Sequence, residues 1–447
     1  MLNSSFKFSF TILCNFRIIS DNKNAGEILF GGDLFRTTCT NLKPSPAPFF
    51  FFVLEYNYPM GTFIIAEIGT AHSGNIQKAF ELIDAAKSAG CDCVKFQWVY
   101  ADEILHPDTG FVNLPNGKTR LYDTFKSLEV DSDFFKQCLE YTHQWGMKFC
   151  CSPFGIKSLE ELAAINPDAI KIASPEVNHI PLLEACAKYY GKIPIILSSG
   201  VSKLGDLEKA ISIIQSSSNK TDEIKSSQHK PLTLLHCITS YPAPEEEYNV
   251  KCVKTLSEIF GIPSGISDHS LDPILVPCLS AAMGGTVIEK HITLSKSDSG
   301  LDDPVALEPE QFAAMVHSVH QTNAIMEKAK KNFDDSSCFE KGVAEVIRQL
   351  SVSFDEERII KVLGNGVKKL AQSEIQNYGR TNRSLHYLKD MKKGDVVHSC
   401  DIGILRTEKI LTPGISPEFM PTIEGARLTR NVTAGEGILI EHFIQKD

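Results

Sequence analysis

From Thr62 to about Lys330 the chain alternates short apolar, β-branched runs with stretches whose apolar residues recur at helical spacing. The runs predict strands at Phe63–Ala66, Cys93–Phe96, Lys148–Cys151, Ala169–Ile172, Ile193–Leu197, Leu232–His236, Pro263–Ile266 and Thr286–Glu289. Helices are expected between them at Ile76–Ala89, Asp133–Trp145, Leu159–Ile165, Leu182–Tyr189, Lys203–Gln215, Cys252–Phe260 and Pro273–Met283, with a last one from Pro309 to about Ala329. Strands that are apolar throughout and joined by helical crossovers form a parallel sheet buried on both faces. Eight such units in about 270 residues fit a closed (β/α)8 TIM barrel better than an open doubly wound sheet. The open sheet carries a glycine-rich turn after its first strand, and here the first strand runs into Glu67-Ile68-Gly69 instead.

The flanks read differently. Residues 1–59 show no clear period, and their apolar run Pro48–Leu54 is far shorter than the roughly 18 residues that cross a bilayer. We expect this segment to be a non-core extension, with a disordered or targeting segment as the alternative, and the core to begin at Met60. Residues 331–382 are charged and partly helical, a connector. From Arg383 to Asp447 short strand-like runs separated by turns replace the helical alternation: Ser384–Tyr387, Val396–Val397, Gly403–Leu405, Ala426–Leu428 and Gly437–Ile440. That is the texture of a small β-rich domain.

Composition narrows the function. Hydrophobic residues are 43% and charged residues 22%, ordinary globular values. A formal net charge of −10 disfavours a general nucleic-acid binder. An anionic substrate would need a local cluster of Lys and Arg. The 13 cysteines are odd in number and scattered without zinc-finger spacing, which predicts a reduced, cytoplasmic protein with no membrane span.

Chemistry in such a barrel sits at the C-terminal ends of the strands. There the sequence places Glu67 and His72; Lys95 and Gln97; Ser152; Lys171, Ser174 and Glu176; Ser198 and Ser199; His236 and Tyr241; Ser267, Asp268 and His269; then Glu289, His291 and, in the last loop, Asp302. Taken singly, each has a bland explanation, as a solvated lysine, a hydrogen-bonded core histidine or a serine N-cap. A polar residue at the same end of every strand has none. Two lysines with several serine hydroxyls suit a phosphate together with a carboxylate. His269 and His291 on neighbouring strands suit a divalent transition metal. Glu67, Glu176 and Asp302 remain for proton transfer and sugar hydroxyls. The set describes an aldol-like addition with a phosphorylated enol donor.

The motifs Phe63–Gly69, Asp92–Gln97 (DCVKFQ), Lys171–Glu176 (KIASPE), Ile195–Gly200 (IILSSG), Leu235–Cys237, Ile266–His269 (ISDH) and Glu289–His291 together resemble the N-acetylneuraminate (sialic acid) synthase family, which includes legionaminate and pseudaminate synthases. Arg383-Ser-Leu, Asp390–Gly394, Pro413–Pro417 and Gly425–Leu428 resemble the antifreeze-like SAF domain that ends those enzymes. The resemblance implies a transferase that joins phosphoenolpyruvate to an N-acetylmannosamine-like aldehyde, giving a nine-carbon 2-keto sugar acid and phosphate. It implies that His269 and His291 hold Mn2+, with Mg2+ or Co2+ as substitutes. Lys95, Ser152, Lys171, Ser174, Ser198 and Ser267 would contact phosphoenolpyruvate. Glu67 and Asp302 would hold the sugar, Gln97 and Tyr241 would line the pocket, and Glu176 would stand near the reacting carbons, where we expect it to orient the attacking water. It also implies a domain-swapped homodimer in which an arginine of one C-terminal domain faces the partner's pocket.

Arg406 is the expected arginine and Lys409 its substitute, although six residues separate Arg406 from Pro413 where the family has almost none. Two further departures are Ala71-His-Ser-Gly74, where the family has Asn-His-Asn-Gly, and Thr239, where Asn is common. The alternatives are a related synthase with a phosphorylated acceptor, which would need a second cationic cluster, and a non-catalytic carbohydrate-binding protein.

Overall fold

The computed structural model describes residues 61–114, 117–216, 232–298, 300–332, 337–408 and 410–444, together with two short strands at 27–30 and 33–36. Residues 1–59 and 60–447 form separate units, each taken by itself.

In the first unit, Glu27–Phe30 and Asp33–Arg36 pair antiparallel, with Ile28 opposite Phe35. Regular structure therefore exists where no period predicted any, because four-residue strands are too short to show alternation. The run Pro48–Leu54 lies outside the described residues.

In the second unit, eight parallel strands close into a barrel in sequence order. They are β1 (Phe63–Gly69), β2 (Cys93–Trp98), β3 (Lys148–Pro153), β4 (Ala169–Ile172), β5 (Ile195–Ser198), β6 (Leu232–Cys237), β7 (Ser264–Asp268) and β8 (Val287–His291). Helices follow at the expected places. In the first, Ile76–Ala89, the Asn75 side chain accepts from the amides of Gln77 and Lys78, and Gly90 ends the helix at φ 88°. Such a cap contributes about 1 kcal/mol. Ala79, Leu82, Ile83 and Ala86 form its buried face, at the spacing of a helix laid against a barrel wall.

The barrel interior is layered. Ile65, Cys93, Cys150, Ile196, Leu235 and Val287 make an apolar floor. Side chains alternate in and out along a strand, so the next inward position lies two residues on. Those positions are Glu67, Lys95, Ser152, Ser198, Cys237 and Glu289. The same strands that fill the floor with carbon therefore put a polar ring directly above it.

Between β2 and β3 an insertion carries a short helix, Ala101–Ile104, a hairpin, Phe111–Leu114 with Gly117–Arg120, and a second helix, Leu121–Ser127. After β8 come the helices Pro309–Asn332, Cys338–Leu350 and Glu356–Leu363. The chain then crosses the barrel mouth and enters the C-terminal domain, where β9 (Arg383–Tyr387) pairs antiparallel with β10 (Ile402–Arg406). Isolated bridges join Met391 to Val432, Val396 to Arg427 and His386 to Gly437. Leu385, Tyr387, Val397, Leu428 and Ile438 are the centre of its own core.

Candidate active site

Lys95 and Lys171 are almost fully buried and are held by carboxylates rather than water. Lys95 Nζ lies 2.8 Å from Glu67 Oε2 and 3.9 Å from Glu289 Oε2. Lys171 Nζ donates to Glu289 Oε1 at 3.2 Å. Burial pushes the Lys95 ammonium down, but Glu289 and Glu67 outweigh it and raise it above its ordinary value. Glu289 is the mirror image: burial favours its neutral form, and Lys171, Lys95 and the Ser267 hydroxyl bring it to about 2. Unpaired charges could not stay in this setting. Here each ammonium group faces a carboxylate and keeps donors to spare, which suits capture of a small dianion.

The serines surround these ammonium groups. Lys95 Nζ also donates to Ser152 Oγ at 3.3 Å, and Ser267 Oγ donates to Glu289 Oε1 at 2.9 Å. Ser174 Oγ accepts from the Gly200 amide at 3.0 Å. Ser198 Oγ is buried without a protein partner. On the other side Gln97 Nε2 donates to Glu67 Oε1 at 2.7 Å. A cavity of about 210 Å³ is lined by Glu67, Lys95, Gln97, Ser152, Lys171, Ser174, Ser198, Tyr241, Ser267, His269, His291, Asp302 and Arg406. A larger cavity, about 440 Å³, lies under the connector but gathers no comparable set.

The imidazoles of His269 and His291 stand with ring centroids 5.7 Å apart, and Tyr241 stacks on His269 at 4.1 Å. His269 Nδ1 donates to the Ile238 carbonyl at 2.7 Å, which fixes the tautomer and leaves Nε2 with a free lone pair. Asp302 Oδ2 is 3.8 Å from His291 Nδ1. Burial lowers His291 below its ordinary value, which favours the neutral imidazole that a metal would need. Burial also disfavours a proton on His269, but Cys237 beside it and the Ile238 carbonyl raise it to about 9, so a metal ion would displace that proton. Two such imidazoles could serve as donors to a divalent metal that keeps open positions, although among the described residues no third His, Cys, Asp or Glu stands with them as a metal-holding group.

Two expectations need correction. Glu176 is not free to handle water. It is fully buried, with Oε2 accepting from Arg383 Nε at 2.6 Å and Oε1 from Arg406 at 2.7 Å. Burial alone would raise it, but the two guanidinium groups hold it below its ordinary value. A carboxylate so committed is a poor base, and it serves as the anchor of the C-terminal domain. Arg406, in turn, lines the pocket of its own barrel. Its Nε is buried without a protein partner. Leu105 of the insertion forms a parallel bridge with Arg406. Lys409 lies outside the described residues.

From sequence Glu289 is placed at its strand end and Arg383 in the SAF-like motif, but neither is given a role. Glu289 was legible in principle: in Glu289-Lys290-His291 the outer two share a face by strand alternation, so a residue two before a pocket histidine must also face inward. Arg383 donates to Glu176, to the carbonyls of Glu103, Ile104 and Ile404, and to that of Phe154. No local signal marks a side chain whose partners, Ile404 apart, lie more than 200 residues away.

A family model described as NeuB matches residues 82–331, and a SAF domain model matches 382–444. The N,N'-diacetyllegionaminic acid synthase of Legionella pneumophila is 31% identical over 389 residues, covering 86% of this chain and 95% of its own. The crystal structure of the spore coat polysaccharide biosynthesis protein SpsE from Bacillus subtilis superposes with a TM-score of 0.67 at 28% identity, covering 87% of this chain and 96% of that one. The N-acetylneuraminic acid synthetase of Leptospira borgpetersenii, in complex with citrate, gives 0.51 at 28% identity, covering 68% and 90%.

Proposed function

Because this chain belongs to the NeuB family, we propose that it condenses phosphoenolpyruvate with the open-chain aldehyde of an N-acylated amino sugar, releasing phosphate and a nine-carbon 2-keto sugar acid. The observation that carries this reading is the polar ring above the apolar floor: two buried, charge-compensated lysines on one side, the imidazole pair on the other. A phosphorylated enol fits the first, an aldehyde the second.

Lys95 and Lys171 hold the donor phosphate and carboxylate, with Ser152, Ser174, Ser198 and Ser267 supplying hydroxyls. Lysine suits this role as a point charge without fork geometry. Donor C3 attacks the aldehyde carbon, positive charge develops at C2, water adds there, and the C–O bond to phosphate breaks. The two lysines stabilise phosphate as it leaves. Glu67 and Asp302 accept hydrogen bonds from the sugar hydroxyls, and Gln97 orients Glu67. His269 and His291 would hold a divalent cation, Mn2+ by preference, which as a Lewis acid supplies polarisation of the aldehyde oxygen. Arg406 closes the sugar end, where Ile104, Phe125 and Leu301 add apolar wall for an acyl group. A homodimer is part of this proposal, but with each barrel capped by its own chain.

The wall chemistry supports an unphosphorylated acceptor. The cationic side chains around the pocket are Lys95, Lys171 and Arg406; the first two serve the donor, and Arg406 is paired with Glu176. A phosphate-release assay with a panel of amino sugars tests the whole reading. Release with N-acetylmannosamine or a diacetamido analogue, and none with the 6-phosphate, is expected. Strict dependence on a sugar phosphate would reverse the acceptor assignment, and no release with any aldehyde would end the proposal.

A further inference from the structure

The donor side of the pocket is finished by a residue outside the barrel. Glu374 lies on the connector and is 1% exposed. Its Oε1 accepts from the Val201 amide at 2.7 Å and from the Thr239 amide at 2.7 Å. Its Oε2 accepts from the Ala371 amide at 3.2 Å. One carboxylate thus joins the loop after β5 to the loop after β6.

Both loops border the pocket. Ser198 and Thr239 line it directly. Gly200, between Ser198 and Val201, donates its amide to Ser174 Oγ at 3.0 Å. The approach there is so close that a Cβ on Gly200 would stand 2.1 Å from Thr239 Oγ1 and 2.8 Å from Ser174 Oγ. The strand ladder does not hold this turn, because β5 ends at Ser198 and β6 at Cys237. Backbone groups beyond the ladder still need partners. The connector supplies them: Lys368 Nζ donates to the Ser199 carbonyl at 2.9 Å, and Asn382 Nδ2 to the Val201 carbonyl at 3.2 Å. Glu374 is the member of this set that holds both loops with one atom, through charge-assisted bonds that are shorter and stronger than neutral ones.

We infer that Glu374 is a positioning residue for phosphoenolpyruvate: it sets the spacing of the β5 and β6 loops so that Ser174 and Ser198 present their oxygens to the donor. The inference rests on the proposed reaction and adds to it a residue that touches neither substrate. Reach, rather than charge, is what the role requires. Gln keeps an oxygen able to accept both amides, Asp keeps the charge but is one methylene too short, and Ala keeps neither.

The test is calorimetric binding of phosphoenolpyruvate to the full-length chain as wild type, Glu374→Gln, Glu374→Asp and Glu374→Ala, with hydrogen exchange at the Val201 and Thr239 amides and steady-state constants alongside. Loss of a charged hydrogen bond predicts that Asp and Ala weaken donor binding about tenfold or more. Gln should stay within about threefold, and the acceptor KM should move far less than the donor KM. Both amides should exchange faster in the Asp variant, which keeps the inference testable if Ala does not fold. Donor binding by Asp equal to wild type would overturn the inference, and so would a loss in Gln as large as that in Asp, which would mean that reach does not decide the role. A wild-type chain that binds no phosphoenolpyruvate would overturn the functional reading and the donor role with it. Normal donor binding in Asp with unchanged exchange would overturn only the inference.

Discussion

Lys95 touches Glu67, Glu289 and Ser152 at once, so its removal does two things. It takes a cation from the donor, and it leaves buried Glu67 without its ion-pair partner and Glu289 with Lys171 alone. Lys95→Met should therefore lower kcat/KM by roughly 100-fold or more, a loss of about 3 kcal/mol of transition-state stabilisation, as seen for removal of a preorganised electrostatic group. Steady-state kinetics on a folded variant check this; a loss under threefold would remove Lys95 from the donor site. The imidazole pair carries its own expectation: chelation should abolish phosphate release, and Mn2+ should restore it better than Mg2+. Full activity in protein shown metal-free by elemental analysis would contradict it. At this scale much of the site was legible, because strand alternation turns a list of strand ends into one inward ring. Glu176 was misread for a physical reason. It sits in the 3-10 turn Ser174–Glu176, beyond the strand, where period two no longer tells which way a side chain faces.

The barrel helices and strands were legible because each carries its own period, and helices such as Ile76–Ala89 and Cys252–Phe260 run between the expected residues. The insertion between β2 and β3 was not, since its hairpin strands have four residues each and its partner is the distant β10. What joins these elements is the Glu176 clamp. Arg383 is buried with Nε on Glu176 and its other donors on carbonyls of the insertion, the β3 loop and β10. Arg383→Ala would leave Glu176 buried with one partner fewer, and breaking a buried pair in this way costs about 3–5 kcal/mol. We expect the C-terminal domain of this variant to be cut by protease at concentrations that leave the wild type whole. The clamp also has a pH signature. Glu176 is held below its ordinary value near 4.5 by the two arginines acting against burial. A group with a depressed folded pKa contributes stability above its unfolded pKa and loses it as pH falls through the folded one. Domain docking should thus be constant at neutral pH and weaken only below about 4.5. Protease sensitivity that rises instead between pH 8 and 6 would point to a histidine elsewhere.

Across the whole molecule, the question is which chain completes which site. The connector carries Lys368, Glu374 and Asn382 onto the β5 and β6 loops of its own barrel. It delivers Arg383 and Arg406 to the same chain's Glu176. The exposed pair of Lys209 with Glu418 adds a second tie between barrel and C-terminal domain. Sequence could supply the length of the connector but not its direction, since a segment of about 50 residues spans either its own barrel mouth or a neighbour's at up to ~3.3 Å per residue. We expect a cap tied in this way to act on its own chain. Arg406→Ala should weaken use of the acceptor by about 10-fold or more, the worth of a charged hydrogen bond, and leave donor affinity nearly unchanged. When Arg406→Ala and Lys95→Met subunits are mixed and allowed to exchange, every site in a hybrid dimer then carries one defect, and activity should equal the sum of what the two impaired parents contribute alone. In a swapped arrangement one site of each hybrid would carry neither defect, and activity would climb toward a quarter of wild type at full exchange, by simple pairing statistics (~half hybrids, one good site in two). Recovery of that kind would place Arg406 in the partner's pocket and overturn capping by the same chain.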